Sequence, residues 1–233
     1  MAATKKGVTQ VIEIRPIELA RVQLRLVGDT SLIMHQWSAK AKRQMLEAQQ
    51  GVSKGKKKEF KNPLEDFINA AYFVTDESLY PGSAALAEEA KSAQTYEEFC
   101  AVCEKGVKFG FPVTAFKQAA ISAAYRMGWS KDKMSLRGAF FIESDSDGLV
   151  EIKSDIPAMR EDPVHIAMGA SDLRYRPEFQ NWYCDIVLSY NVNGPYSLEN
   201  IINILNAGGY VCGVGEWRVE RDGQHGMFHV AMG

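Results

Sequence analysis

Apolar and polar positions change period several times along this chain, and each change marks an element. Residues 20–37, ARVQLRLVGDTSLIMHQW, alternate Val22, Leu24 and Leu26 with polar neighbours, break at Gly28-Asp29 and resume at Ser31-Leu32-Ile33-Met34. A period of two predicts a strand, and the break predicts a turn or bulge in its middle. Ser38 is placed to cap a helix over AKAKRQMLEAQQ that Gly51 ends. GVSKGKKKEFKN is polar and lysine-rich, the composition of a loop. A second helix is expected from Pro63 to Val74, with Leu64, Phe67, Ile68 and Ala71 on one face. Residues 76–110 read as an inserted helical element carrying SAALAEEAKSA and TYEEFCAVCEKG. VTAFKQAAISAAYRMG, introduced by Phe111-Pro112, is an amphipathic helix whose Ala115, Ala119, Ala120 and Ala123 permit close packing. FFIESD and LVEIKSD flank Ser146-Asp147-Gly148 and predict a hairpin. A long irregular loop follows through residues 159–179, around Gly169. NWYCDIVLSYN then alternates as a strand, SLENIINILNAGG reads as a capped helix ending at Gly208, and MFHVAM closes as a strand. Because strands do not alternate strictly with helices, the pattern predicts an α+β sheet rather than a doubly wound fold.

Composition fits a single folded unit over residues 1–233, with residues 38–110 as a helical and basic-loop insertion: 46% of positions are hydrophobic and 24% charged. No stretch approaches the roughly 20 apolar residues of a membrane helix, and MAATKKGVTQVIEIRP has no signal-peptide core, so a cytoplasmic protein with no membrane contact is expected. Cys100, Cys103, Cys184 and Cys212 are too few and too unevenly spaced for a disulfide framework and are read as reduced thiols. The net charge of −2 hides two opposite blocks. Between Lys40 and Lys61 eight basic residues (Lys40, Lys42, Arg43, Lys54, Lys56, Lys57, Lys58, Lys61) face two acids, a balance of +6. Between Asp76 and Glu104 seven acids face one lysine, a balance of −6. Such blocks are either solvated faces or contacts, the basic one for a polyanion and the acidic one for the basic block of a neighbouring copy.

Most chemistry-bearing spacings fail when tested. GVSKGK at 51–56 places three residues between its glycines where a phosphate loop has four. Cys100-Ala-Val-Cys103 lies in an acidic helical pattern that disfavours thiolates, which makes it a buried helix face. His225 and His229 lack the close cysteine pair of a zinc site. No nucleophile elbow or carboxylate-rich metal motif is present, so no catalytic residue, cofactor or metal is expected. What remains is Arg or Lys set beside aromatics in short segments: His35 and Trp37 at the end of the first strand, Arg160, then Arg174-Tyr175-Arg176, then Trp217-Arg218. This pairing holds a phosphate backbone while stacking a base. The competing reading pairs Arg174, Arg176 and Arg218 with Asp172, Glu178 and Glu216 as loop staples.

FGFPVTAFKQAAISAAYRMG and the closing AGGYVCGVGEWRVERDGQHGMFHV resemble the proline-led helix and the glycine-rich segment of the RAMP superfamily, the RRM-related backbone subunits of CRISPR effector complexes. The ordered set MHQWS, GFPVTAFK, MRED, DLRYRPEF and GVGEWRVERDGQHGMF is similar, over nearly the full length, to a family of small phage and prophage proteins. Thr114-Ala115-Phe116 and the short Gly223–Gly226 loop depart from the RAMP pattern. These resemblances imply a modified ferredoxin-like, RRM/RAMP-like antiparallel sheet with helices on one face, and copies that assemble cooperatively along one strand. The expected function is binding of single-stranded DNA, or RNA, in phage replication or recombination. Lys40, Arg43, Lys54, Lys56, Lys57, Lys58 and Lys61 would meet phosphates, with Trp37, Tyr175 and Trp217 as stacking surfaces. Two rivals use the same features. One is a phage protein that binds and inhibits, or mimics, a host defence complex; the other is a metal-independent nuclease with His35 as general acid or base.

Overall fold

The first strand ends where a tryptophan needs room. In the computed structural model, which describes residues 16–51, 60–165 and 171–231 (Lys40 through its backbone alone), β1 spans Leu19–Gly28 and directs Leu26 into the core. A Cβ at Gly28 would lie 2.2 Å from Trp182 Nε1, and that indole donates to the Thr30 carbonyl at 2.7 Å. The chain therefore bends around Trp182, and β2 (Leu32–Ile33) joins a different sheet.

Among the described residues, four helices run between β2 and β3 (Phe109–Pro112). In α1 (Ala39–Gln49) the Ser38 hydroxyl accepts from the Ala41 amide at 3.1 Å, the expected cap. In α2 (Pro63–Asn69) Asn62 caps and Pro63 takes the first turn. This helix is shorter than expected, because Phe73 bridges to Phe109 and the Val74 amide donates to Lys108 O, which turns the apolar tail into extended chain. Five of the seven acids of the acidic block lie on α3 (Ser83–Lys91) and α4 (Tyr96–Glu104), where Phe99 and Val102 face inward and the glutamates outward, and Asp76 and Glu77 precede them.

α5 (Val113–Arg126) and α7 (Leu198–Ala207) pack against each other beside a four-stranded antiparallel sheet, with the short α6 (Met134–Arg137) between α5 and β4 (Phe140–Glu143). The remaining strands are β5 (Leu149–Ile152), β6 (Ala158–His165), β7 (Ser171–Phe179), β8 (Tyr183–Asn191) and β9 (Phe228–Val230). The large sheet has the order β4-β8-β1-β9, a second β2-β7-β6 and a third β3-β5; all their pairings are antiparallel. The chain is thus mixed α+β, with its strands distributed over three sheets.

Two expectations are corrected here. Asp147 and Gly148 do form a tight turn with φ of 49° and 77°, but the strands it joins part company, β4 to β8 and β5 to β3. The segment read as an irregular loop through 159–179 is a hairpin of β6 and β7, in register from Ala158↔Glu178 to His165↔Ser171. Its charged residues conceal the period of two: Asp162 and Arg176 point inward and are buried, which an apolar template cannot recognise.

Candidate functional site

Among the described residues β2 pairs with β7 at Glu178 and Phe179, and the preceding residues of β7 border a cleft. The chain leaves β2 along these residues. The Met34 amide donates to Pro177 O at 3.1 Å and the Gln36 amide to Ala70 O at 2.8 Å, clamping residues 34–36 between β7 and the end of α2. Met34 is buried, while His35 and Trp37 line a cavity of about 330 Å³ with Lys61, Arg174, Tyr175 and Arg176. Trp37 is 53% exposed. The α1 cap, Ser38, stands on the same rim.

Charge in this cavity is partly matched. Lys61 Nζ donates to Asp172 Oδ1 at 2.8 Å and to the Leu173 carbonyl, and approaches Asp66 at 3.8 Å. The Lys61 hydrogen bond holds the Asp172 carboxyl below its usual pKa. Arg174 lies 4.0 Å from Asp172, a loose contact that leaves its guanidinium available to the cavity. A hydrogen bond to Glu161 raises the Tyr175 hydroxyl pKa.

Arg176 is the buried member, 2% exposed. Its Nη1 donates to Asp162 Oδ2 at 3.2 Å, its Nη2 lies 3.7 Å from Glu216 Oε2, and its Nε has no hydrogen-bond partner. Asp162 also accepts from Arg160 Nε at 2.8 Å, and Arg160 Nη1 reaches Glu178 Oε2 at 3.2 Å. Glu178 in turn accepts from Ser31, whose hydroxyl is 2.9 Å from His225 Nδ1. Arg176 is therefore a staple, but through Asp162 and Glu216 and not through the expected Glu178, which Arg160 takes; Arg160, read as a strand contact, belongs to the same network, with Asp162 as the shared partner.

A second cavity of about 400 Å³ adjoins the first at His35, which lines both. Its floor is the glycine-rich segment after α7. Gly215 has φ of +79°, and a Cβ there would sit 2.5 Å from Ile33 O, so the backbone lies flat against β2. The Glu216 amide then donates to Ile33 O at 2.9 Å, which sets the Glu216 carboxylate 3.3 Å from His35 Nδ1. That hydrogen bond lowers the Glu216 pKa against the opposing effect of burial, with Arg176 assisting. Tyr72, on the opposite wall, is raised by burial and by Glu216.

The other sequence-nominated residues fall in three groups. Arg218 lines the second cavity, bonded to Gly215 O at 3.0 Å and Glu220 Oε2 at 3.3 Å, whereas Trp217, held at φ of +50°, lines neither cavity. Arg160 stays behind the cleft in the network just described, and Arg43 is exposed on α1, where Lys40 also lies. Lys54, Lys56, Lys57 and Lys58 lie outside the described residues; the chain resumes at Phe60-Lys61 on the cleft rim. Sequence reading missed Asp162, Tyr72, Gln118 and the pairing of Glu216 with His35. The one available signal was Gly213-Val-Gly215, glycines immediately ahead of an acid. His229 faces Asp29 at 2.7 Å, apart from His225. Among the described residues no group of three or more His, Cys, Asp or Glu could hold a metal ion, and no helix is long and apolar enough to cross a membrane. Cys100 and Cys103 pack against the core, and burial pushes the Cys103 thiol up to about 12. No protein-family model and no curated protein sequence matches the chain.

Proposed function

We propose that this protein binds single-stranded nucleic acid, DNA in preference to RNA, along the cleft between α1, α2 and β7. One observation carries the reading: Trp37 and Lys61, and more than a hundred residues later Arg174 and Tyr175, converge on one cavity, with Arg176 buried behind them. A strand needs cations at phosphate spacing beside flat aromatic faces, and stacking contributes about 1–3 kcal/mol per base. Lys61, the last residue of the basic block, stands on this rim. The path β1–α5–β4–β8–α7–β9 is a β-α-β-β-α-β sequence, which supports a modified ferredoxin-like, RRM/RAMP-like core and with it a phage protein that coats a strand cooperatively. The test is light scattering after size-exclusion, with and without a 40-nucleotide oligo-dT. The expected result is a complex containing several copies per strand, with affinity that falls steeply with salt and is lost on reversing charge at Lys54, Lys56, Lys57 and Lys58. Unchanged mass at low salt with both DNA and RNA overturns the reading.

The His35–Glu216 contact favours a second reading. A carboxylate on Nδ1 orients the ring and leaves Nε2 for proton transfer, the arrangement of a metal-independent nuclease. Cleavage of labelled RNA or DNA that disappears in His35→Ala supports it; intact substrate after prolonged incubation removes it.

A further inference from the structure

The second cavity has the polar pattern of a base-recognition pocket, and its donors and acceptors are not sequence-neutral. Its apolar walls come from Tyr72 and Phe111, whose rings meet edge to face at 6.1 Å, and its floor is bare backbone because Gly215 admits no side chain. A cavity of about 400 Å³ has room for one planar heterocycle. Glu216 lines the cavity, with its pKa lowered so that the carboxylate is ionised and acceptor-only. Its two oxygens offer about four lone-pair sites, of which His35 takes one and Arg176 is near another. Arg218, which also lines the cavity, supplies the opposite polarity, with two of its five N–H donors used by Glu220 and Gly215 O.

An acceptor-only carboxylate discriminates among bases. Adenine and cytosine set an acceptor nitrogen beside their amino group, which a carboxylate repels, and thymine and uracil present a single ring N–H between two carbonyls. Guanine alone sets two donors side by side, N1–H and N2–H₂, followed by the O6 acceptor. We propose that the cavity formed by Tyr72, Phe111, Gly215, Glu216 and Arg218 takes a single guanine from the bound strand, Glu216 accepting from N1–H and N2–H₂ and Arg218 donating to O6. Opening at His35 into the cleft, the pocket receives the base while the neighbouring nucleotides stay on Trp37 and Tyr175. This rests on the nucleic-acid reading above and adds sequence preference to it.

The test compares oligo-dT with the same oligonucleotide carrying one central dG, dA or dC, by fluorescence anisotropy, and titrates GMP, AMP, CMP and TMP alone by calorimetry. A bidentate base contact predicts that dG tightens binding about tenfold over dA or dC, and that GMP is the tightest mononucleotide. Ala115→Met, which fills the cavity from α5 without touching a charge, should abolish the guanine preference and leave oligo-dT affinity within about twofold. Glu216→Gln, which turns one acceptor into a donor, should also abolish it. Oligo-dT binding with equal affinity for all substituted strands overturns the pocket and leaves the strand reading intact. GMP preference without oligo-dT binding sustains the pocket as a site for free guanine nucleotides and overturns the strand reading. Guanine preference that survives Ala115→Met places the base elsewhere and overturns the proposal.

Discussion

Two surfaces of this molecule carry arginine, lysine and aromatic side chains, and they use them in opposite ways. On the outer face of the four-stranded sheet the ions are laid out in cross-strand register. Arg25 opposes Asp185 and donates to it through Nε at 2.7 Å and Nη2 at 3.1 Å, Lys153 reaches the same carboxylate at 3.2 Å, and both cations lie over the Tyr183 ring. Arg21 meets Glu143 at 2.8 Å two strands away. In the cleft the ions come from unrelated segments and face a cavity, with Arg174 only 4.0 Å from its nearest acid and Arg176 Nε unpartnered. An open sheet face whose charges are closed on one another gives a ligand little to bind. A concavity whose charges are incompletely matched offers both field and shape.

The comparison is broken most easily at Arg176. It is buried against Asp162 and Glu216, so Arg176→Ala leaves Asp162 as a buried charge with Arg160 as its remaining partner. Removing one member of a buried pair costs about 3–5 kcal/mol, and a domain of this size loses about 2–4 °C in melting temperature per kcal/mol. We expect thermal unfolding monitored by circular dichroism to fall by roughly 10 °C. A fall of a degree or two would mean that the network is wet and that Arg176 belongs with the surface ions.

The periodic parts of the structure were legible in sequence. Val22, Leu24 and Leu26, the Gly28-Asp29 break, the Ser38 cap, the helix start at Pro63 and the alanine-rich α5 all follow from local rules that tertiary packing did not overrule. The β6–β7 hairpin was not legible, because its inward positions hold Asp162 and Arg176, whose burial depends on partners far along the chain. Sequence pointed to most of the cleft's aromatic and cationic residues, yet their convergence depends on the bend at Trp182 and the clamp of residues 34–36, which are properties of the assembled fold. Glu216 was seen only as a possible staple; its place beside His35 comes from the flat backbone at Gly215.

Acid should weaken both surfaces, and a substitution at Glu216 isolates the cleft's share. The hydrogen bond from His35 and the nearby Arg176 lower the Glu216 pKa, so the folded state holds its proton less tightly than the unfolded chain. The stability this carboxylate contributes is complete above its ordinary pKa of about 4.3 and disappears as pH falls through the lower folded value. Asp172, lowered by Lys61, and Asp185 on the sheet, lowered by Arg25, follow the same sign. Urea titrations at pH 7 and pH 3.5 should show a loss on acidification that is smaller in Glu216→Gln than in the parent. Equal losses would mean that the Glu216–His35 contact is absent in solution.

The smallest expected effect sharpens the comparison most directly. Arg21 has a side-chain exposure of 74%, and an exposed pair of this kind contributes about 0.2–1 kcal/mol, so Arg21→Ala should barely move the melting temperature. Its value lies in the binding measurement. If the cleft holds the strand, Lys61→Ala and Arg174→Ala each remove a cation at the contact and reduce the salt dependence of oligo-dT binding by one phosphate's worth, a slope change of about 0.7 for a single strand. Arg21→Ala, on the sheet face, should leave that slope unchanged. A change in Arg21→Ala equal to that in Lys61→Ala would put the strand across the sheet, where Phe141 and Tyr183 offer their rings, and would show that cross-strand ion pairing does not close a surface to nucleic acid.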